Sequence, residues 1–248
     1  CAGAAEEYAS MVDKLDRQVG AILAQVHKLG LEKRTIIVFS SDNGHELYYR
    51  TDKERGRGLN CHGGVLDGTG ELLDVFRGSR GLIGQKNAMV NLAGLKWTNH
   101  EGGIRIPLIV SWPGTVPHGK VCRSLVASYD HMATFAELAG VGMPEGKDSV
   151  SYKNMLFGKP SSQRDYVVAD HTVITGDGWK LTHKQDKWLL FQISSDPEER
   201  HNLAETRKDQ LERLQAIYRK EAGSPRKDRQ KPEQPRKTAL FPPLAFAG

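Results

Sequence analysis

Tyr8, Met11, Val12, Leu15, Val19, Ile22, Leu23, Val26 and Leu29 recur at steps of three and four, which lays one apolar stripe along a helix. Gly30 supplies a natural C-terminal stop. After a short basic connector, Thr35-Ile36-Ile37-Val38-Phe39-Ser40 is a continuous β-branched and aromatic run without alternation. Such a run reads as a strand covered on both faces, as in a parallel sheet. Helix, short loop and buried strand predict an α/β unit. Residues 49–90 are rich in Gly and charge with little periodicity, which predicts loops and short hairpins around the Asp67-Gly68 turn signal. Long insertions of this kind in compact domains are often functional. A second apolar stretch, 104–112, contains Pro107, which argues against a central strand in its first half; Pro113-Gly114 ends it. A helix over 131–138 is closed by Ala139-Gly140.

The pattern changes in the final third. Residues 166–169, 173–174, 178–182 and 188–193 are short strand-like runs between turn residues, which predicts a small antiparallel sheet. A charged helix over 204–221 follows. From Gly223 onward Pro, Lys, Arg and Gln dominate, and five of the 11 prolines fall there. This composition predicts a disordered or loosely draped tail.

Composition adds limits. The 248 residues are 38% hydrophobic and 26% charged, enough apolar material for a core, which excludes disorder as the main state. Lys+Arg 35 against Asp+Glu 30 gives +5. Arg219, Lys220, Arg226, Lys227, Arg229, Lys231, Arg236 and Lys237, set against Glu221, Asp228 and Glu233, carry that whole excess, so the rest of the chain is neutral. The basic tail lacks the interleaved aromatics of a single-strand platform, which disfavours a nucleic acid as partner. Cys1, Cys61 and Cys122 form no disulfide framework and no CxxC zinc site, although one bridge remains open. No run reaches the ~18 apolar residues of a membrane-spanning helix. Residue 1 is Cys and no basic-then-apolar leader follows it, so the sequence is read as lacking an N-terminal portion.

The sharpest candidate chemistry is Ser41-Asp42-Asn43-Gly44, directly after the buried strand. Carboxyl ends of strands face the ligand crevice in open α/β sheets, and a carboxylate with an amide there offers hard oxygen donors for Ca²⁺ or Mg²⁺. The same residues also make a good strand-ending turn, and Asp42 and Asn43 are at most half of a divalent site. In Lys96-Trp97-Thr98-Asn99-His100-Glu101-Gly102-Gly103-Ile104-Arg105, a lysine before a Gly-Gly turn can present an ammonium to a tetrahedral anion, or it is a solvated surface lysine. Glu101 and Arg105, four apart, predict a structural ion pair. His45 and His100 are each open between ligand contact and a structural role.

In register, these motifs resemble the sulfatase family of the alkaline-phosphatase superfamily. The helix containing Tyr8-Ala-Ser-Met-Val-Asp-Lys-Leu-Asp-Arg-Gln-Val-Gly20 is similar to the family's helix before its second metal motif. Thr35 through Gly44 resembles that strand and motif, and Lys96 through Pro113, with Glu-Gly-Gly-Ile-Arg and Trp-Pro-Gly, resembles its lysine-bearing segment. Residues 128–140, Gly178-Trp179-Lys180-Leu181 and Asp196-Pro197-Glu198 with Asn202-Leu203 resemble its C-terminal subdomain. Several motifs in order over most of the chain make the match specific.

The resemblance implies an α/β fold: a partial sulfatase-like doubly wound sheet over 1–145, a small C-terminal antiparallel α+β subdomain over 146–222, and the basic tail over 223–248. It implies that Asp42 and Asn43 are two ligands of a catalytic Ca²⁺ and that Lys96 contacts the sulfate near its leaving oxygen. His45 and His100 are expected to contact substrate, a sulfated small molecule or glycan. It further implies export to the periplasm or outside the cell. The sequence departs from the family pattern in its nucleophile motif, and the family's N-terminal pair of metal-binding aspartates and its earlier lysine and histidines are expected to precede residue 1. Family activity depends on a formylglycine made in a Cys/Ser-x-Pro/Ala-x-Arg motif, and no cysteine or serine here stands in one. The reading is therefore the C-terminal part of a sulfatase, with the formylglycine expected in a missing N-terminal part and no turnover by the chain alone. The alternatives are a phosphoryl- or phosphonate-ester hydrolase of the same superfamily, disfavoured by Asn43 where a His is usual, and a binding remnant.

Overall fold

A computed structural model describes residues 2–44, 64–66, 72–75, 79–83, 88–94, 96, 98–143, 145–159, 164–184 and 186–222. Helix α1, Ala2–Lys28, carries the apolar stripe, and Gly30 follows it at φ +66. A single 3₁₀ turn, Glu32–Arg34, leads into β1, Ile37–Ser40. Two hairpins follow, β2 (Gly64–Leu66) with β3 (Leu72–Val75) and β4 (Ser79–Ile83) with β5 (Ala88–Leu92), both antiparallel. They bear out the short hairpins read within 49–90, while the Asp67-Gly68 turn and the rest of that insertion lie outside the described residues.

A one-turn helix, α2 (Glu101–Ile104), precedes β6, Leu108–Ser111. The reading of β1 as a strand in parallel surroundings needs correction. Among the described residues its partner is β6, antiparallel, with Val38 opposite Val110. Ile37 to Phe39 are half-buried and Ser40 is exposed. An unbroken apolar run reports how much a strand can bury; it carries no information about the direction of its neighbour. Pro107 sits just before β6, where a missing N–H breaks no ladder, and its carbonyl accepts the Ser40 hydroxyl at 2.8 Å. The Trp112 indole N–H donates to Lys33 O at 2.9 Å, tying the far end of β6 to the turn before β1.

Helix α3, Asp130–Ala139, ends at Gly140 in the left-handed region, φ +70, as the Ala139-Gly140 signal predicts. Asp130 fixes its start. Its carboxylate accepts the N–H groups of Ala127 and Val150 at 2.8 and 2.9 Å and pairs with Arg164. After a short α4, Lys153–Leu156, come β7 (Tyr166–Ala169), β8 (Thr172–Thr175), β9 (Trp179–Lys184) and β10 (Lys187–Gln192), one antiparallel sheet in chain order. Helix α5, Lys208–Ala222, closes the described chain. It starts later than the charge pattern implies, because Asn202 Oδ1 accepts the N–H groups of Leu190 and Ala204 and holds 202–204 as a turn on β10.

Val168, Val173, Leu181 and Leu190 are cross-strand partners in one row. On that face Val173, Leu181 and Leu190 meet Leu214 of α5, all fully buried. Side chains alternate across a strand, so Lys180 and Thr182 face the other way, and they too are buried. β9 is thus met on both faces, by α5 on one and by Glu101 of α2 and Glu199 on the other. Cys122 is an exposed free thiol; Cys1, Cys61 and the tail from 223 lie outside the described residues.

Candidate functional site

The loop after β1 ends against α2. The Gly44 N–H donates to Gly103 O at 2.9 Å, and a Cβ on Gly44 would stand 2.0 Å from Gly102 O. Only glycine permits this approach. Within the loop, the Ser41 hydroxyl donates to Asn43 O at 2.9 Å and the Asn43 amide N–H to Gly44 O at 3.0 Å. Asp42 is exposed and Asn43 half-buried. With its NH₂ engaged by the backbone, the Asn43 side chain offers its oxygen as the atom suited to a hard cation.

The lysine-bearing segment is closed on itself. The Gly102 N–H donates to Ala93 O at 2.7 Å, so residues 93–102 form a loop with half-buried Lys96 within it. Gly94, at φ +72, makes the sharp turn; a Cβ there would stand 2.3 Å from Thr98 Oγ1 and 2.7 Å from His100 Cβ. Asn99 Nδ2 donates to Asp170 Oδ2 at 3.1 Å, joining this loop to the β7–β8 turn. The structure therefore brings the backbone of the Asp42-Asn43 loop and of the Lys96 segment into contact through Gly44 and Gly102-Gly103. His45 lies outside the described residues. His100 is buried, its Nδ1 3.4 Å from Glu199 Oε1.

Glu101 and Arg105 pair at 3.0 Å across one turn of α2, as their spacing implies. Sequence reasoning missed the rest of that cluster. Lys180 Nζ lies 3.0 Å from both Glu101 Oε1 and Glu199 Oε1. The Glu101 N–H donates to Glu199 Oε2 at 2.7 Å. Burial pushes the Glu199 carboxyl up, but the Lys180 charge, the His100 contact and the Glu101 N–H outweigh it and hold the group below the usual glutamate value of 4.5. The available signal was the lysine inside Trp179-Lys180-Leu181, a charged residue in an apolar strand; its partners, Glu101 lying 79 residues before it and Glu199 in the turn after β10, had none.

Among the described residues no group of three or more His, Cys, Asp or Glu is placed to hold a metal ion. The Asp42 carboxylate and Asn43 amide oxygen still fit calcium as two of its 6–8 oxygen ligands. No described helix is long and apolar enough to cross a membrane.

Comparison with solved structures defines the class of fold. A protein from work on glycosaminoglycan metabolism by Bacteroides thetaiotaomicron superposes with a TM-score of 0.61 at 25% identity, over 83% of this chain and 42% of that one. A structure in complex with its substrate D-glucosamine-2-N,6-O-disulfate gives 0.60 at 22% identity, over 88% and 41%. These are alkaline-phosphatase-like α/β proteins. The sulfatase family model matches residues 3–141, and the model for the C-terminal region of N-sulphoglucosamine sulphohydrolase matches residues 96–222. The chain belongs to the sulfatase family. An N-acetylgalactosamine-6-O-sulfatase of Bacteroides thetaiotaomicron is 26% identical over 82% of this chain, and a steryl-sulfatase of Rattus norvegicus 27% identical over 79%. The chain spans 39% and 36% of their respective lengths.

Proposed function

We propose that this chain is part of a sulfuric ester hydrolase acting on sulfate esters of a carbohydrate, with 1–145 contributing to the catalytic α/β domain and 146–222 forming a smaller subdomain. The observation that carries the reading is the contact of Gly44 with Gly102-Gly103, which joins a strand-end oxygen-donor loop to the loop bearing Lys96. A relative of similar fold was solved with a sulfated glucosamine as its substrate. The same reading assigns the periplasm or the extracellular space as its place of action.

Asp42 and Asn43 would hold calcium through oxygen. When bound, calcium withdraws negative charge from a sulfuryl group. Lys96 supplies the complementary positive charge at the leaving oxygen, where an ammonium stabilises the negative charge that develops as the S–O bond breaks. His45 and His100 contribute to substrate contact. A nucleophile is required, and no Cys/Ser-x-Pro/Ala-x-Arg motif occurs in these residues, so the chain by itself is inactive.

The test is hydrolysis of a chromogenic aryl sulfate in the presence of Ca²⁺. The chain alone gives no turnover above its Lys96→Ala variant. Supplied with a formylglycine-bearing sulfatase segment in one polypeptide, it hydrolyses the ester, and Lys96→Ala lowers kcat about 100-fold or more. Wild-type turnover in Lys96→Ala, or a preference for the matching aryl phosphate, overturns the reading.

A further inference from the structure

Lys180 is completely buried in the middle of β9, between two carboxylates that are themselves buried. An apolar side chain would fill that position without the cost of desolvating three charges, and buried ion pairs are weak contributors to stability. What they contribute is orientation, and several observations show what is oriented. Glu199 adopts φ +51, in the left-handed region that non-glycine residues seldom occupy, and from there its carboxylate takes both the Lys180 ammonium and the Glu101 N–H. Glu101 is the first residue of α2 and is held at its backbone by Glu199 and at its side chain by Lys180 and Arg105. The two residues after it are glycines. Gly102 and Gly103 have no side chains by which to be anchored, yet Gly102 closes the Lys96 loop on Ala93 O and Gly103 O receives the Gly44 N–H.

We propose that Lys180 and Glu199 are positioning residues of the candidate site. Acting through Glu101, they fix the Gly102-Gly103 backbone as the surface on which the Asp42-Asn43 loop rests and the Lys96 loop closes. The importance of these loops for catalysis rests on the sulfatase reading; the positioning itself does not. The cluster makes β9 and the Asp196–Glu199 turn part of the site's support although neither reaches it.

Amide hydrogen exchange on the full chain tests this without any activity. In Lys180→Met and in the isosteric Glu199→Gln, exchange at Gly44 and Gly102 rises by about tenfold or more, while amides of β8, β9 and β10 stay within about twofold of wild type. The double variant Lys180→Met with Glu199→Gln removes the pair together. It restores any sheet protection lost in the single variants and leaves Gly44 and Gly102 fast. Unchanged glycine exchange in both single variants overturns the proposal. So does a parallel loss at glycines and sheet that the double variant reverses in both, because the cluster would then only stabilise the fold. The expected exchange pattern, together with no aryl sulfate hydrolysis by the polypeptide that carries the formylglycine-bearing segment, would remove the function and leave the positioning standing.

Discussion

Gly44→Ala isolates the contact on which the functional reading depends. The added methyl would stand 2.0 Å from Gly102 O and 2.7 Å from both the carbonyl carbon and Cα of Gly103. All three are backbone atoms, so no side-chain rotation relieves the clash and one loop must withdraw. Withdrawal breaks the 2.9 Å bond from Gly44 N–H to Gly103 O. A backbone bond of this kind is worth about 1 kcal/mol net, and overpacking adds about 1–3 kcal/mol. The contact between the loops is thus weakened by about 2–4 kcal/mol. Urea denaturation and amide exchange read this directly: the midpoint falls, and Gly102, whose carbonyl receives the clash, loses protection while the β7–β10 sheet keeps its own. Gly20→Ala is the control, since nothing lies within 4 Å of a Cβ there; in the middle of α1 it stabilises by about 0.5–1 kcal/mol. A Gly44→Ala protein with the wild-type midpoint and wild-type Gly102 exchange would refute the packing of these two loops.

Further predictions concern acid stability and the exposed apolar face. The Glu199 carboxyl, facing Lys180, His100 and the Glu101 N–H, is held below 4.5. A depressed carboxylate contributes stability that is complete above its unfolded value and is lost as pH falls through the folded one. The acid limb of the stability curve below pH 4.5 should therefore flatten in Glu199→Gln, as measured by urea midpoints; an unchanged limb would show that another group carries it. Among the described residues, every large apolar side chain that is exposed lies from Met11 to Val141, with Ile22 at 61% and Ile109 at 60%. The isolated chain should self-associate and bind an apolar dye, and Leu15→Glu with Ile22→Glu should reduce both; a reversible, concentration-independent monomeric melt of the wild type would contradict this.

Local elements were legible where one chemical cause acts over a few residues. The stripe from Tyr8 to Leu29 made α1, the Ala139-Gly140 stop ended α3, and the short runs after residue 166 became the strands of one sheet, because each depends on spacing or on a single glycine. The start of α5 was misplaced because the Asn202 side chain, just before the expected helix, takes the N–H groups of Leu190 and Ala204 and ties 202–204 to β10. In the candidate site, Asp42, Asn43 and Lys96 stood out through their neighbours in sequence, and so did the pairing of Glu101 with Arg105.

The sequence by itself determined the family, the local elements and the oxygen-donor and lysine motifs, since each is written within a short window or in their order along the chain. Only the tertiary structure decided that β1 runs antiparallel to β6, that Gly44 rests on Gly103, and that Lys180 and Glu199 converge on Glu101. Strand direction and long-range ion pairing depend on where distant segments lie when the core closes. The buried lysine shows the difference most clearly: at 180 it reads as one charge in an apolar strand, and it acquires a role only when folding delivers carboxylates from residues 101 and 199 to either side of it.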